Sequence, residues 1–258
     1  SFCRYDVIHP AEWAGLDNYV RLLNDEMFWR SLANTAYMLL GVPLGLAAGL
    51  AIALLLNHEI RGMKVYRTLF YLPAIVPVVA SSILWIWVLN PTNGLINSLL
   101  RMIGIDDPPL WLNSPSWLLG SKAAILLMGL WGAGGGMIIW LAGLKGIPRH
   151  LYEAAEIDGA GPLRRFFHVT LPMLTPYIFF NLIIGVIGTM QIFTQAFIMT
   201  AGGPADSTLF YALYLFNSAF RYFEMGYASA LAWVMLVLIL LLTLLQMWGS
   251  RRWVYYEG

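Results

Sequence analysis

Long apolar runs alternate along this chain with short charged segments. Five stretches contain no Asp, Glu, Lys or Arg: Ser31 to His58, Thr68 to Leu100, Ala123 to Leu144, Phe166 to Ala205 and Met225 to Ser250. Each exceeds the roughly 20 residues an α-helix needs to cross the hydrocarbon core of a bilayer. One charge at the centre of a span costs about 2.5 to 3.5 kcal/mol, so five such gaps in one chain are not accidental, and they predict five helical spans. Composition agrees. The chain is 59% hydrophobic and 11% charged, with a mean hydropathy of +0.68, whereas soluble domains carry about 25% charged residues. The fold class is therefore an all-α integral membrane protein.

The spans differ in internal character. In the segment 1–30, Tyr19, Leu22, Leu23 and Met27, with Phe28 and Trp29 beside them, suggest either an amphipathic helix at the interface or a plain connecting helix. The first span, Ala33 to Leu56, carries Gly41, Gly45 and Gly49 at four-residue spacing, a pattern of close helix packing. Pro73 and Pro77 in the second free backbone groups that neighbours must satisfy, so a kink there either lines a pathway or shapes the packing. Trp85 and Trp87 are candidate interface anchors. The segment Asn90 to Lys122, with Pro108, Pro109, Trp111 and Trp117, is too polar and punctuated to span. In the third span Trp131 and Gly132 precede Gly134, Gly135 and Gly136, an intrinsically weak helix since each glycine costs about 1 kcal/mol against alanine. Close packing and room for a bulky substrate both explain it. In the fourth, Asn181, Gly188, Gln191 and Gln195 fall near one stripe at helical spacing. Amides there must face protein or water, as interhelical bonds or as the lining of a solute pathway.

Charge distribution orients the chain. With five alternating spans, Arg61, Lys64, Arg67, Lys145, Arg149, Arg164, Arg165, Arg251 and Arg252 fall on one side, nine of the fifteen basic residues. Glu59, Glu153, Glu156, Asp158 and Glu257 share that side, five of the fourteen acidic residues. The positive-inside rule makes this side, with the C-terminus, cytoplasmic. The lone Cys3 forms no internal disulfide. The phosphate-binding pattern G-x-x-x-x-G-K-[ST] is absent, and the four histidines are scattered, so neither ATP hydrolysis nor a metal site is expected in this chain. Nothing points to nucleic acid.

The most informative segment is Glu153 to Pro172, EAAEIDGAGPLRRFFHVTLP. Pro148 suits a helix start and Gly159 a stop, which predicts a short helix from Arg149 to Ile157, and Pro162 starts a second. On the first, Leu151, Ala154, Ala155 and Asp158 share a face. On the second, Leu163, Phe166, Phe167 and Thr170 face opposite Arg164, Arg165 and His168, as in a helix at a membrane surface. Leu171 and Pro172 are then expected to turn the chain into the bilayer. Taken alone, Glu153 could simply pair with Arg149 four residues earlier, worth about 0.3 kcal/mol.

The spacing of Glu153, Ala154 and Ala155, three residues, Gly159, nine residues, Val169, one residue, Leu171 and Pro172 resembles the EAA motif of permease subunits in binding-protein-dependent ATP-binding-cassette (ABC) importers. Val169 stands where the family pattern has isoleucine. GLDNYVRLL at Gly15–Leu23, FWRSLANT at Phe28–Thr35, TAGGPADST at Thr200–Thr208 and RRWVYYE at Arg251–Glu257 extend the resemblance to carbohydrate-type permeases, the maltose and glycerol-phosphate first subunit among them. The resemblance implies the type I ABC importer transmembrane fold, with a sixth span upstream of this sequence. It divides the chain into an extracytoplasmic segment 1–30, a permease domain 31–250 with a coupling loop at 146–172, and a cytoplasmic tail 251–258. It assigns ATPase coupling to Glu153, Ala154, Ala155, Asp158, Gly159, Leu171 and Pro172. Substrate contacts of maltose-type permeases fall, without gaps, on Trp131, Gly132, Gly135, Gly185, Gly188, Thr189 and Ile192. These are mostly glycine, a departure from the side chains that grip maltose; Asn181, Gln191 and Gln195 complete the pathway set.

The function so implied is inward transport of a sugar or sugar-like solute by alternating access. The expected partners are a second homologous permease, two ATPase subunits that hold ATP and Mg²⁺, an extracytoplasmic solute-binding protein and the lipid of a bacterial or archaeal plasma (inner) membrane. This chain itself needs no cofactor. An ion-coupled secondary transporter would want carboxylates inside the spans, and a membrane-embedded enzyme would want clustered acidic or His residues there; neither feature is present.

Overall fold

The computed structural model describes residues 1–58, 60–116 and 118–255. Glu59 and Glu257 of the charge pattern, Trp117 of the segment Asn90 to Lys122, and the end of the RRWVYYE stretch lie outside the described residues. Three helices, Glu26–Leu56, Ser121–Gly146 and Met225–Ser250, are long and apolar enough to cross a membrane. Met63–Ile75 with Val78–Val88, and Pro162–Met173 with Thr175–Met190, raise the number to five if each broken pair is one span. The chain divides into two compact units, each assembled from distant parts of the sequence.

The first unit comprises Ser1–Gly41, Pro77–Met128 and Val186–Leu241. It opens with a small antiparallel hairpin, β1 (Cys3–Arg4) against β2 (Glu12–Trp13), a minor departure from the all-α expectation. Helices α1 (Asp17–Asn24) and α2 (Glu26–Met38) follow in place of one amphipathic helix. Asp25 separates them: its backbone is extended and its side chain accepts from the Met27 N–H, capping α2. Leu22 and Phe28 are consequently buried, while Leu23 and Trp29 stay exposed. The helix that carries the first apolar span begins at Glu26, ahead of Ala33, and its Arg30 is paired locally with Glu26 at 2.9 Å and Asp206 at 3.3 Å.

Within this unit Ser31, Asn34 and Thr35 form a buried polar stripe on α2. Asn34 Nδ2 donates to the carbonyls of Asp206 (2.7 Å) and Leu209 (3.1 Å), and Thr35 Oγ1 accepts from the Tyr211 N–H at 2.9 Å. The FWRSLANT and TAGGPADST stretches, remote in sequence, thus meet. Gly202 supplies the left-handed backbone of that turn (φ 94°), and Thr208 ties it shut through Thr200 Oγ1 at 2.6 Å and the Gly203 carbonyl. Phe28, Phe210, Tyr211 and Leu231 share the core with Trp85. Trp85 is therefore a packing residue and not an interface anchor; Trp87 is the exposed one.

The second unit comprises Val42–Val76, Gly129–Gly185 and the chain from Leu242. Helix α3 (Gly41–Leu56) precedes α4 (Met63–Ile75), and the chain breaks at Val76 before α5 (Val78–Val88). The glycine run Gly132–Gly136 is a 3-10 segment between α7 (Ser121–Trp131) and α8 (Met137–Gly146), with α6 (Leu95–Met102) earlier in the chain. Close packing explains much of that run. A Cβ at Gly134 would collide with the Phe70 carbonyl oxygen, and one at Gly135 would sit 2.9 Å from the Ala74 Cβ. Of the predicted glycine stripe, Gly49 packs on Trp140 and Ala133, whereas Gly45 faces open space. Ala53, Leu56, Met137, Trp140, Leu144 and Leu174 form this unit's core.

Candidate functional site

The segment after α8 forms two short helices, α9 (Arg149–Ile157) and α10 (Pro162–Arg165), the second running on through a π turn at Phe166–Thr170 into α11 (Leu171–Met173). Pro148 caps α9 in an extended conformation, and Pro162 occupies the first turn of α10. The stop between them is a Schellman motif. The Ala160 N–H bonds the Ala155 carbonyl at 2.8 Å and the Gly159 N–H bonds the Glu156 carbonyl at 3.0 Å, with Gly159 left-handed at φ 74°. Five residues of the predicted coupling set (Glu153, Ala154, Ala155, Asp158 and Gly159) therefore form one closed helix end.

Two side-chain ties join the halves of the loop. Arg165 Nη1 donates to Glu156 Oε1 at 2.7 Å, and the Tyr152 and Thr170 hydroxyls share a hydrogen bond at 3.0 Å. Leu151, Tyr152 and Val169 rest on the core of the second unit. The opposite side is bare: Ile157 is 87% exposed, Leu163 76% and Phe167 57%. Sequence periodicity grouped Thr170 with Leu163 and Phe167, but the π turn shifts the phase and buries Thr170. Glu153 is exposed and makes no ion pair among the described residues, so the simple Arg149 pairing is not formed. The exposed crest and the Tyr152–Thr170 tie were missed by periodicity, which assumes an unbroken 3.6 repeat.

The chain does not turn at Leu171 and Pro172 as expected. Both lie inside α11, and the 64° bend comes at Leu174, before α12 (Thr175–Met190). Thr175 Oγ1 donates to the Pro172 carbonyl at 2.6 Å and accepts from the Tyr255 N–H at 2.9 Å, so the C-terminal segment braces this elbow.

The pathway residues divide between the units. In the second unit, Trp131 is partly exposed, Gly132 faces open space, Gly135 packs on Ala74 and Gly185 lies 2.9 Å, at a Cβ position, from Val42 Cγ1. Asn181 Nδ2 bonds the Tyr177 carbonyl one turn back, at 2.8 Å. In the first unit, Gly188 faces open space and Thr189 lies in the last turn of α12. The proposed single stripe through Gln191 and Gln195 does not exist, because α12 stops at Met190 and α13 (Thr194–Met199) restarts after an unwound Gln191–Phe193. Phe193 holds the break by stacking on Phe197 at 5.3 Å and packing on Phe216 at 4.8 Å. Gln191 is exposed, while Ile192 and Gln195 are half-buried. In that unit α14 (Tyr211–Phe216) leads through a second π turn to α15 (Met225–Ser250).

Known proteins place this architecture. The profile of the family described as "Binding-protein-dependent transport system inner membrane component" matches residues 41–255. The chain is 48% identical over 263 residues to the "Probable ABC transporter permease protein YesP" of Bacillus subtilis (strain 168), covering all of this chain and 84% of that one. It is 38% identical over 236 residues to the sulfoquinovosyl glycerol transport system permease protein SmoG of Agrobacterium fabrum, covering 91% and 75%. The fold superposes with a TM-score of 0.83 and 26% identity on a chain of a bacterial alginate ABC transporter, solved in complex with an alginate pentasaccharide-bound periplasmic protein, over 95% of this chain and 85% of that one. Such permeases are multi-pass membrane proteins that leave ATP hydrolysis to partner ATPase subunits, which removes the ion-coupled carrier and the membrane enzyme as readings. The chain belongs to the binding-protein-dependent ABC transporter permease family.

Proposed function

We propose that this permease subunit carries a sugar or sugar-like solute inward, and that its Glu153–Pro172 loop is the cytoplasmic element through which ATPase subunits drive it. The observation that carries the coupling role is the bare crest of Ile157, Leu163 and Phe167 beside an unpaired Glu153, on a loop otherwise tied to the core. Apolar side chains around a charged anchor suit a groove on a protein partner. The relatives' named cargoes, a sulfoquinovosyl glycerol and an alginate, support the sugar assignment.

The mechanism follows from the ties. When two ATPase subunits close on ATP and Mg²⁺, α9 moves with the groove that holds it. The Glu156–Arg165 and Tyr152–Thr170 bonds pass that displacement to α10 and α11, and the elbow at Leu174 passes it to α12. The solute pathway, toward which Gln191 and Gln195 of the first unit contribute amides, then alternates its access between a solute-binding protein on one side and the cytoplasm on the other. A second, homologous permease completes the pathway.

Glu153→Ala tests the reading in the assembled transporter. If Glu153 is a buried anchor in the groove, the substitution costs about 2 kcal/mol of ATPase binding, roughly thirtyfold, and reduces co-purification of the ATPase and substrate-stimulated hydrolysis together. An effect well under 1 kcal/mol, the size of a surface pair, removes the loop from the coupling role. The sugar assignment fails separately if no glycan-loaded binding protein stimulates hydrolysis by the intact wild-type complex.

A further inference from the structure

Helix α6 turns a large apolar face outward. Its protein-facing side combines Ile96, packed against the core of the first unit, with a buried polar anchor. Asn97, only 1% exposed, donates through Nδ2 to the carbonyls of Pro91 (3.0 Å) and Pro109 (3.2 Å), and its Oδ1 accepts from Trp111 Nε1 at 2.6 Å. Arg101 adds bonds to the Thr92 and Pro91 carbonyls at 2.7 and 3.0 Å. Together these bonds fix the roll of the helix. Its outward side is apolar: Leu95, Leu99, Met102 and Ile103 are 50, 52, 80 and 75% exposed. At spacings of i, i+4, i+7 and i+8 they form one arc roughly 100° wide. A hydrated surface rarely leaves such an arc bare.

Three features select lipid as its cover. The arc carries no charge; Arg101 is engaged with backbone at its edge, and Asp106 and Asp107 come only beyond Gly104. The helix follows shortly after α5 and contacts it, and α5, the apolar half of a candidate span, exposes Ile83, Leu84 and Trp87 as well. At the other junction Leu118 and Leu119 are exposed just before Ser121 opens the next span. We propose that α6 lies in the membrane interface at the level where α5 ends, with Leu95, Leu99, Met102 and Ile103 seated at the headgroup–acyl boundary. The Asn97–Trp111 frame then acts as the scaffold that presents this lipid-binding arc.

The test uses the assembled transporter in phosphatidylcholine vesicles, in a Cys3→Ser background. Leu99→Cys, Met102→Cys and, as the hydrated control, Asp106→Cys each carry an environment-sensitive fluorophore. Retained substrate-stimulated ATP hydrolysis verifies assembly. Phosphatidylcholine bearing a spin label high on the acyl chain is expected to quench the labels at 99 and 102 by roughly half or more. Aqueous iodide should quench only the label at 106. Iodide quenching at 99 and 102 overturns the proposal in favour of a solvated loop. Protection of both from lipid and iodide alike overturns it in favour of cover by another protein chain.

Discussion

Gly159 shows how much of the proposed coupling loop rests on one backbone angle. At φ 74° it occupies the left-handed position of the Schellman motif, where a side chain, and a β-branched one above all, is strained. Gly161, two residues on, has φ −68° and ψ 170°, ordinary extended backbone. Gly159→Val should therefore cost about 1–2 kcal/mol locally and, on the proposed coupling role, unseat α9 from the ATPase, whereas Gly161→Val should leave the loop close to wild type. Co-purification of the ATPase and substrate-stimulated hydrolysis read the difference; equal behaviour of the two variants would mean that the Gly159 turn does not set the loop's shape. Chain order alone pointed to Gly159 as a helix stop. It could not show Glu153 without an ion pair among the described residues, because that depends on where Arg149 and the other cations end up.

Among the elements, the 3-10 stretch Gly132–Gly136 answers a question the sequence left open between packing and space. Gly134 lies against the backbone of α4 at Phe70, with no room for a Cβ, while Gly132 has nothing within 4 Å of that position. Gly134→Ala should destabilise by about 1–3 kcal/mol through overpacking. Gly132→Ala should be neutral or stabilise by up to about 1 kcal/mol through helix propensity. Thermal unfolding of the solubilised transporter separates them, and a neutral Gly134→Ala would contradict the close approach of α4. The break between α12 and α13 is the opposite case, since no proline stops the helix at Met190. Aromatic packing of Phe193 against Phe197 and Phe216 overrides the local helical pattern, as tertiary contacts commonly override propensity.

At the scale of the molecule, the first unit is closed by contacts between residues far apart in sequence. The Asp25 carboxylate caps α2 and accepts hydrogen bonds from the Tyr214 and Tyr227 hydroxyls. Burial pushes its carboxyl up, but those two hydroxyls and the Met27 and Phe28 N–H groups outweigh burial and hold it below the usual range. The sign follows directly. With a folded value below the unfolded value of about 4, the contribution is present in full above that pH and is lost as pH falls through the folded value. Asp25→Asn should lower stability by about 1–3 kcal/mol at neutral pH, the scale of hydrogen bonds to a charged group. It should also flatten the acid limb of a melting-temperature profile taken from about pH 3 to 7. Parallel wild-type and variant profiles would show that Asp25 does not carry this acid sensitivity.

Sequence alone determined the membrane-spanning character, the five apolar stretches, the two short loop helices and the glycine stop between them. Each is a local property: uninterrupted apolar length, proline and glycine geometry, and the cost of a charge in hydrocarbon all act within a few turns of chain. Tertiary structure decided what depends on neighbours distant in sequence. It paired Arg30 with Asp206, and it joined the 28–35 and 200–211 stretches through Asn34 and Thr35. Trp85 went inward, the fourth span broke at Gln191–Phe193, and the loop's bend shifted from Pro172 to Leu174. In each of these a long-range hydrogen bond, ion pair or packing contact selects among conformations that the local sequence leaves nearly equal in energy.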